Sequence, residues 1–283
     1  MEALVVKPGG RYVDGTFGRG GHAREIVRRG GEVLGIDRDD EAVAAAGDIR
    51  VVRGRHGDVK KIACENGWQE VDGILLDLGV SSPQLDDAGR GFSFLREGPL
   101  DMRMDRSCGV SAADLVNGAD EAELERIFRE LGEEPCARRL ARAMAKRRGF
   151  STTTELADFV ERMAGRRGAH HPATRVFQAL RMAVNDERGE LRRALEGGLD
   201  LLRPGGRFAV ISFESLSDRI VKRFFASHVG RMRSLQQGGE EWVGELPRAR
   251  AVTGRAVMAG RRERDLNPRS RSARLRAIER GRD

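Results

Sequence analysis

The chain has 283 residues, of which 39% are hydrophobic and 34% are charged. This composition suits a globular protein with a buried core, and no apolar run reaches the ~18 residues of a membrane span. The N-terminal residues lack the pattern of a signal peptide, so the sequence predicts a cytoplasmic protein without membrane association. Three widely spaced cysteines, Cys64, Cys108 and Cys136, indicate reduced thiols rather than a disulfide framework or a zinc site.

The excess positive charge is concentrated near the C-terminus. Residues 230–283 contain 14 Arg, no Lys and 7 acidic residues, and the formal net charge of the whole chain is +7. Arginine favours bidentate contact with phosphate and stacking on bases, so this segment is consistent with a nucleic-acid surface. A solvated, partly disordered basic tail explains the charge equally well.

Strand-like and helix-like segments alternate along the chain, which is typical of a mostly parallel sheet. The predicted strands are Arg11–Asp14, Glu32–Asp37, Ile49–Arg53, Val71–Leu78 and Gly206–Phe213. Between the fourth and fifth strands the apolar residues recur at helical spacing. We therefore predict an α/β, Rossmann-like core at residues 1–98 and 200–283, with an α-helical insertion at 99–199 over the carboxyl edge of the sheet.

A glycine-rich loop, "VDGTFGRGGH", follows the first predicted strand. Its glycines, Gly18, Gly20 and Gly21, allow a sharp turn and close approach of the backbone to a ligand, and His22 begins a helix. Asp14 at the mouth of the loop would repel a phosphate group but would attract the amino group of S-adenosylmethionine. The loop also lacks the Gly-Lys-Ser/Thr ending of a phosphate-binding loop.

Asp37 ends the second predicted strand, in "VLGID". An acidic side chain at this position can accept hydrogen bonds from both ribose hydroxyls of a nucleotide cofactor. Taken singly, Asp14 and Asp37 are also ordinary aspartates at strand ends, and Asp37 suits a dehydrogenase as well. Together they favour the cofactor site of a class I methyltransferase over that of a dehydrogenase.

The fourth predicted strand runs into a long polar loop, "DLGVSSPQLDDAGRGFSFLREGPLDMRMD". Methyl transfer to an exocyclic amine depends on acceptors that hold the NH2 group in line with the methyl carbon. The available acceptors are Asp77, Ser81, Ser82 and Asp101. Turn and capping chemistry explains the same residue types, and the Asp/Asn-Pro-Pro-aromatic motif of many amino-methyltransferases is absent.

Several long motifs resemble, in order and along nearly the whole chain, the RsmH (MraW) family. They are "VDGTFGRGGH", "DGILLDLGVSSPQLDDAGRGFSF", "GPLDMRMD", "HPATRVFQALRMAVNDE", "GGRFAVISF", "SLSDRIVKRF" and "NPRSRSARLR". The resemblance implies an S-adenosylmethionine-dependent methyltransferase that modifies the N4 amine of a cytidine in the decoding region of bacterial 16S rRNA. Its partner would be 16S rRNA or the small ribosomal subunit, and the reaction would need no metal. The helical insertion at 99–199 is expected to be the RNA-substrate domain.

Matching motifs carry site residues onto this chain. We add Asp14 of the glycine loop to the cofactor contacts that these motifs imply. The complete set of candidate cofactor contacts is Asp14, Gly20, Gly21, His22, Asp37, His56, Asp77 and Gln84. His56 stands where the family usually has phenylalanine. The catalytic candidates are Asp77, Ser81, Ser82 and Asp101, and the loop from Ser81 to Asp105 is expected to form the base pocket. The expected RNA contacts are Arg103, Arg219, Lys222, Arg269, Arg271 and Arg274.

One departure from the family concerns the end of the fifth strand. The family usually reads Ser-Phe-His-Ser-Leu-Glu-Asp-Arg, whereas this chain has Glu214 in place of the histidine. No role of that imidazole can be transferred to Glu214. Two alternative functions stay open at this point: a methyltransferase acting on DNA or protein, and a non-catalytic RNA-binding module on the same fold.

Overall fold

A computed structural model describes residues 1–165, 171–234, 239–243 and 248–281. The chain forms two compact units. The first unit combines Met1–Gly79 with Gly189–Asp283, and the second unit is Val80–Arg188.

The first unit is built on one large sheet. Its strands are β1 (Arg11–Asp14), β2 (Glu32–Asp37), β3 (Arg50–Arg53), β4 (Val71–Asp77), β5 (Leu202–Ser212), β8 (Ala249–Ala251), β9 (Val257–Met258) and β10 (Arg274–Arg280). The order is β3-β2-β1-β4-β5-β10-β8, and β9 pairs with β10. Strands β1 to β5 are parallel, whereas β10 is antiparallel to β5. The five predicted strands are confirmed. Strands β6 (Arg231–Ser234) and β7 (Glu240–Val243) form a separate antiparallel pair.

Helices cover both faces of the sheet, and this explains why six of the seven residues of β4 are buried. The helices of the first unit are α1 (Gly21–Arg28), α2 (Asp40–Ala44), α3 (Val59–Glu65), α10 (Glu187–Leu201), α11 (Ser215–Val229) and α12 (Arg261–Leu266). Ile74 and Leu76 of β4 lie in one apolar cluster with residues of α3, α10 and α11. Leu75 lies in the other cluster, with Ala23 and Ile26 of α1.

The second unit is helical, as the apolar spacing predicts. Its helices are α4 (Ser82–Asp86), α5 (Ala112–Gly118), α6 (Glu121–Glu130), α7 (Ala137–Arg147), α8 (Thr153–Ala164) and α9 (Ala173–Val184). The long polar loop belongs to this unit because its backbone is bonded there: the Leu100 N–H donates to Ser151 O at 2.9 Å and the Thr153 N–H to Gly98 O at 2.9 Å.

The two units divide the chain at different residues from those predicted. Boundaries were expected at 98/99 and 199/200, and the structure has them at Gly79/Val80 and Arg188/Gly189. The second boundary lies earlier than predicted because α10 packs on the sheet through Leu191, Leu195 and Leu199, which are 0–1% exposed. Helical periodicity alone does not show which surface a helix covers.

The arginine-rich C-terminal segment contains a strand of the main sheet. β10 pairs with β5 over Arg274 to Glu279, and Ala277 and Ile278 are buried. The description of this whole segment as a solvated tail is therefore wrong for β10. Charged residues interrupt its apolar pattern, and they are paired: Glu279 accepts hydrogen bonds from Arg207 at 3.1 Å and Arg250 at 2.6 Å.

Candidate active site

The glycine loop links the end of β1 to the start of α1. Gly18 and Gly20 have positive φ values of 54° and 71°, a conformation that favours glycine. A Cβ atom at Gly20 would lie 2.6 Å from Cζ of Phe17, so a side chain is excluded there. The Phe17 N–H donates to Ile36 O at 3.0 Å, and this bond fixes the loop against β2.

Asp14 ends β1 and is fully buried. Its Oδ1 accepts a hydrogen bond from the Thr16 N–H at 3.3 Å. Its Oδ2 is buried and has no hydrogen-bond partner among the residues the structure describes. Burial raises the pKa of Asp14 to about 7; the neighbouring carboxylates Asp77 and Asp37 add to this, and His22 opposes it. A cationic group beside Oδ2 would satisfy this acceptor and favour its ionised form.

Asp77 ends β4, the strand beside β1. Its Oδ2 lies 3.3 Å from Nε2 of His22, the second residue of α1. The hydrogen bond that His22 donates to Asp77 raises the pKa of His22, although burial of the ring opposes the shift. The other oxygen, Oδ1 of Asp77, is buried and makes no hydrogen bond within the described parts of the chain. The Asp77 N–H donates to Oγ1 of Thr16 at 2.6 Å, which joins the strand to the glycine loop.

Asp37 ends β2 and binds two backbone groups. Its Oδ2 accepts from the Gly18 N–H at 2.8 Å, and its Oδ1 accepts from the Asp39 N–H at 3.0 Å. Burial nevertheless raises the pKa of Asp37. Each carboxylate oxygen has a second lone pair, so this side chain retains capacity for two further donors.

His56 follows β3 in a short 3₁₀ turn, His56–Asp58. Its Cβ is 3.7 Å from the position of a Cβ built on Gly15, so it borders the glycine loop. Burial, with smaller contributions from Arg38 and Arg193, lowers the pKa of His56 to about 4. The imidazole is therefore neutral at pH 7, and its buried Nε2 has no hydrogen-bond partner in the described ranges.

Sequence analysis missed Glu190, which supports this turn from α10. Glu190 is 1% exposed, and its Oε2 accepts from the Gly57 N–H at 3.0 Å. Its Oε1 accepts from Arg55 at 3.2 Å and from Arg193 at 2.9 Å. The only available signal was its position, three residues after the family motif that ends in "NDE".

The second unit contains five of the predicted site residues: Ser81, Ser82, Gln84, Asp101 and Arg103. Ser81 and Gln84 form a capping box at the start of α4, in which the Ser81 N–H donates to Oε1 of Gln84 at 3.0 Å. Gln84 is buried, and Ser82 is the first residue of α4. The structure thus gives Ser81 the capping role that sequence analysis kept as an alternative, and Gln84 completes the capping box.

Asp101 and Arg103 bind each other. Oδ1 of Asp101 accepts from the backbone N–H and from Nε of Arg103, at 3.1 and 2.7 Å, and Arg106 lies 3.5 Å from Oδ2. Burial alone would raise the pKa of Asp101. The hydrogen bonds that Arg103 donates outweigh this effect and lower the pKa below its ordinary value. The carboxylate is ionised at neutral pH, and it stabilises the loop that carries it.

Two residues that sequence analysis did not select also stabilise this loop. The buried guanidinium of Arg90 donates to the carbonyl oxygens of Arg103 and Met104, at 3.3 and 3.1 Å. The amide of Asn185 donates to Met102 O at 2.8 Å and accepts from the Met104 N–H at 2.9 Å. Asn185 lies in the family-like motif that ends in "VNDE", and its place in that motif was the available sequence signal.

The expected RNA contacts differ in exposure. Arg219 and Lys222 on α11 are exposed, as are Arg269 and Arg271 near the start of β10. Arg274 is half-buried and lies 3.8 Å from Asp218. The neighbouring Arg276 forms a bidentate pair with the same Asp218, at 2.7 and 3.1 Å.

Glu214 immediately precedes α11, and its Oε1 accepts a hydrogen bond from the Ser217 hydroxyl. In the described residues no three His, Cys, Asp or Glu side chains are grouped as metal ligands. The helices described there are all too short or too polar to cross a membrane.

Ligands of open α/β sheets bind beyond the carboxyl ends of the strands, where the strand order reverses. In this sheet that point lies between β1 and β4, and Asp14 and Asp77 end these two strands. The fold, the glycine loop and the acidic strand ends define a class I S-adenosylmethionine-dependent methyltransferase with an inserted helical unit.

The chain belongs to the MraW methylase family, whose model matches residues 1–281. It is 50% identical to the ribosomal RNA small subunit methyltransferase H of Methylococcus capsulatus, covering 99% of this chain and 97% of the relative. It is 46% identical to the protein of the same name from Trichlorobacter lovleyi, covering 99% and 95%. With that from Symbiobacterium thermophilum the identity is 46%, and the coverage is 98% and 93%.

Proposed function

We propose that this protein transfers a methyl group from S-adenosylmethionine to the N4 amine of a cytidine in the decoding region of 16S rRNA. The names of its relatives support a small-subunit rRNA substrate. The structural observation that carries the proposal is a pair of buried carboxylate oxygens at the ends of β1 and β4 that have no hydrogen-bond partner among the described residues. Such a substrate is consistent with the cytoplasmic location expected from the sequence.

The residues at the sheet edge fit S-adenosylmethionine. Asp14 would hold the amino group of the methionine moiety, because that cation satisfies its unpartnered Oδ2. Asp37 would accept the ribose hydroxyls with its remaining lone pairs, and Gly20 and Gly21 would allow close approach of the backbone. His56, neutral and buried, would border the cofactor as an uncharged ring. When bound, the cofactor supplies an electrophilic methyl group on a sulfonium sulfur.

The amine of cytosine is a weak nucleophile, because its lone pair is delocalised into the ring. Catalysis therefore depends on holding the nitrogen in line with the methyl carbon and on accepting its N–H hydrogens. Asp77 would do both through its free Oδ1, while His22 fixes the orientation of the carboxylate through Oδ2. The same carboxylate is the proposed acceptor for the proton that the nitrogen loses.

The loop of the second unit would form the base pocket. Ser81, Ser82 and Asp101 remain the proposed acceptors there, and Arg103 the proposed substrate contact. Because Asp101 and Arg103 bind each other, we infer that they act as a pair. Arg219, Lys222, Arg269, Arg271 and Arg274 are proposed to contact RNA phosphates.

The test is a methyl-transfer assay with the purified protein and isotopically labelled S-adenosylmethionine. Small ribosomal subunits, naked 16S rRNA, duplex DNA and a ribosomal protein mixture are offered separately, and labelled RNA is mapped by mass spectrometry. We expect one N4-methylcytidine in 16S rRNA and no label in DNA or protein. Label in DNA or protein alone, or no transfer with cofactor bound, would refute the proposal.

A further inference from the structure

Helix α7 has an unusual distribution of charge. Its eleven residues, Ala137–Arg147, read "ARRLARAMAKR" and include five basic side chains and no acidic one. Ala137, Leu140, Ala141 and Met144 are buried, which leaves the opposite face to solvent. That face carries Arg138, Arg139, Arg142 and Lys146, which are exposed and recur at three- and four-residue spacing. We call these four residues the α7 basic face.

The acidic side chains that the structure describes do not neutralise this face. Arg138, Arg142 and Lys146 have no acidic partner among the residues described, and Arg139 donates to Ala164 O at 3.4 Å. The neighbouring helix α6 is different. There Arg126 lies 3.8 Å from Glu130, and Arg129 lies 2.9 Å from Glu125.

Helix stability does not account for the arrangement. Arg138 and Arg139 lie in the first turn, beside the positive end of the helix dipole, where a cation is unfavourable by about 0.3–1 kcal/mol. Cys136 provides no side-chain hydrogen bond that would cap this end. The sequence of α7 therefore places charge where folding alone disfavours it.

The α7 basic face lines an open groove of about 710 Å³, together with Pro135, Cys136 and Met163. We propose that this groove binds the phosphate backbone of the RNA substrate, an inference that rests on the proposed function. A row of basic side chains about one helical turn apart, roughly 5–6 Å between Cβ atoms, suits a polyanion that presents successive phosphates. The five RNA-contact residues proposed on α11 and near or on β10 lie in the other unit, so this surface is additional to them.

The test compares two triple variants with the same change in charge. The first is Arg138→Gln/Arg142→Gln/Lys146→Gln. The control, Lys61→Gln/Arg126→Gln/Arg129→Gln, removes three basic residues that each pair with a glutamate four positions away. Binding of a fluorescently labelled 16S rRNA transcript is measured over a range of salt concentrations, and S-adenosylmethionine affinity by calorimetry.

We expect the first variant to weaken RNA binding at least about tenfold and to reduce the salt slope by about 2–3, since each lost contact contributes ~0.7–0.9. Cofactor affinity stays unchanged, and the control retains the wild-type slope. An unchanged slope in the folded variant, an equal reduction in the control, or no RNA binding by the wild type would each overturn the inference. If the wild type binds the transcript but methylates no RNA, the proposed function fails, and the slopes still decide the role of the α7 basic face.

Discussion

The sheet edge of the first unit and the polar loop of the second unit bond their polar side chains differently. At the sheet edge, Asp14 and Asp77 each keep one buried oxygen without a partner in the described residues. In the loop, Asp101 is bound by Arg103, and Ser81 is bound by Gln84. An unsatisfied buried acceptor costs about 1–3 kcal/mol, so it is retained where a ligand satisfies it. The first region is arranged for a ligand, and the second is arranged to keep its own shape.

Asp77→Asn tests the sheet edge most directly. We expect a loss of about a thousandfold in the single-turnover rate at saturating cofactor, or ~4 kcal/mol of transition-state stabilisation, because the charged acceptor is lost. Asp72→Asn is the matched control on the same strand. Asp72 binds the Arg11 N–H at 2.9 Å and Arg203, so its loss affects stability and not the rate. Equal rates in Asp77→Asn and the wild type would exclude a catalytic role for Asp77.

Asp14→Asn separates binding from stability. The pKa of Asp14 is about 7 in the folded protein, above its ordinary value of 3.8. Between these values the folded state holds a proton that the unfolded state has released, so the stability of the cofactor-free protein falls as the pH rises towards 7. The variant lacks this penalty, and we expect it to be more stable than the wild type at pH 8, by at most about 4 kcal/mol.

The same substitution removes the acceptor for the cofactor amino group. We expect S-adenosylmethionine affinity to fall at least about tenfold, and affinity in the wild type to rise with pH up to about 7. Urea unfolding at pH 5 and pH 8 and calorimetry over this range measure both effects. A variant that binds the cofactor normally, with an unchanged pH profile, would contradict the role of Asp14.

In the loop, Asp101→Asn is expected to act through stability. Losing the ionised acceptor leaves Arg103 without its partner and lowers the free energy of unfolding by about 2 kcal/mol. The loss is smaller than for a fully buried ion pair because Arg103 is partly exposed. The pKa of Asp101 is lowered, so its contribution is present above its ordinary pKa and is lost as the pH falls through the folded value. A double-mutant cycle with Arg103→Gln measures the coupling by urea unfolding. Additive effects of the two substitutions would show that the pair does not stabilise the loop.

Arginines near the C-terminus extend the same contrast. Arg276→Gln breaks the bidentate pair with Asp218 and should reduce stability by about 1 kcal/mol without changing the salt dependence of RNA binding. Arg269→Gln/Arg271→Gln should lower the salt slope by about one per lost phosphate contact. Thermal unfolding and RNA binding are measured for both variants. The opposite pattern would show that Arg276 faces the RNA.

Glu214→His restores the residue usual in the family and should have the smallest effect. Glu214 accepts a hydrogen bond from Ser217 beside the start of α11, and a neutral imidazole nitrogen can accept the same bond. We expect activity within about tenfold of wild type, a change of less than ~1.4 kcal/mol in transition-state energy. A thousandfold loss in a folded variant that still binds cofactor would instead assign Glu214 a catalytic role.

The sequence was sufficient for the parallel part of the sheet, because a buried strand such as β4 contains consecutive apolar residues, 74–76, and ends in an aspartate. It was insufficient for β10, where Arg276 and Glu279 interrupt the apolar pattern and their partners lie far away in the chain. The candidate cofactor residues followed from motifs and spacing. The sequence could not show that Asp14 and Asp77 each keep an oxygen without a partner in the described residues. That depends on which donors the folded chain brings within hydrogen-bond distance.

The insertion of a whole unit between β4 and β5 has a consequence for how the protein folds. These strands pair directly, although roughly 120 residues separate Asp77 from Leu202. Closing a flexible segment of that length costs about 4 kcal/mol in chain entropy, and a segment that has already folded no longer incurs that cost. Pairing of β4 with β5, and with it the position of Asp77, is thereby coupled to the integrity of the inserted helices. A substitution that unfolds Val80–Arg188 is expected to loosen the sheet at Asp77, although the substituted residue lies in the other unit.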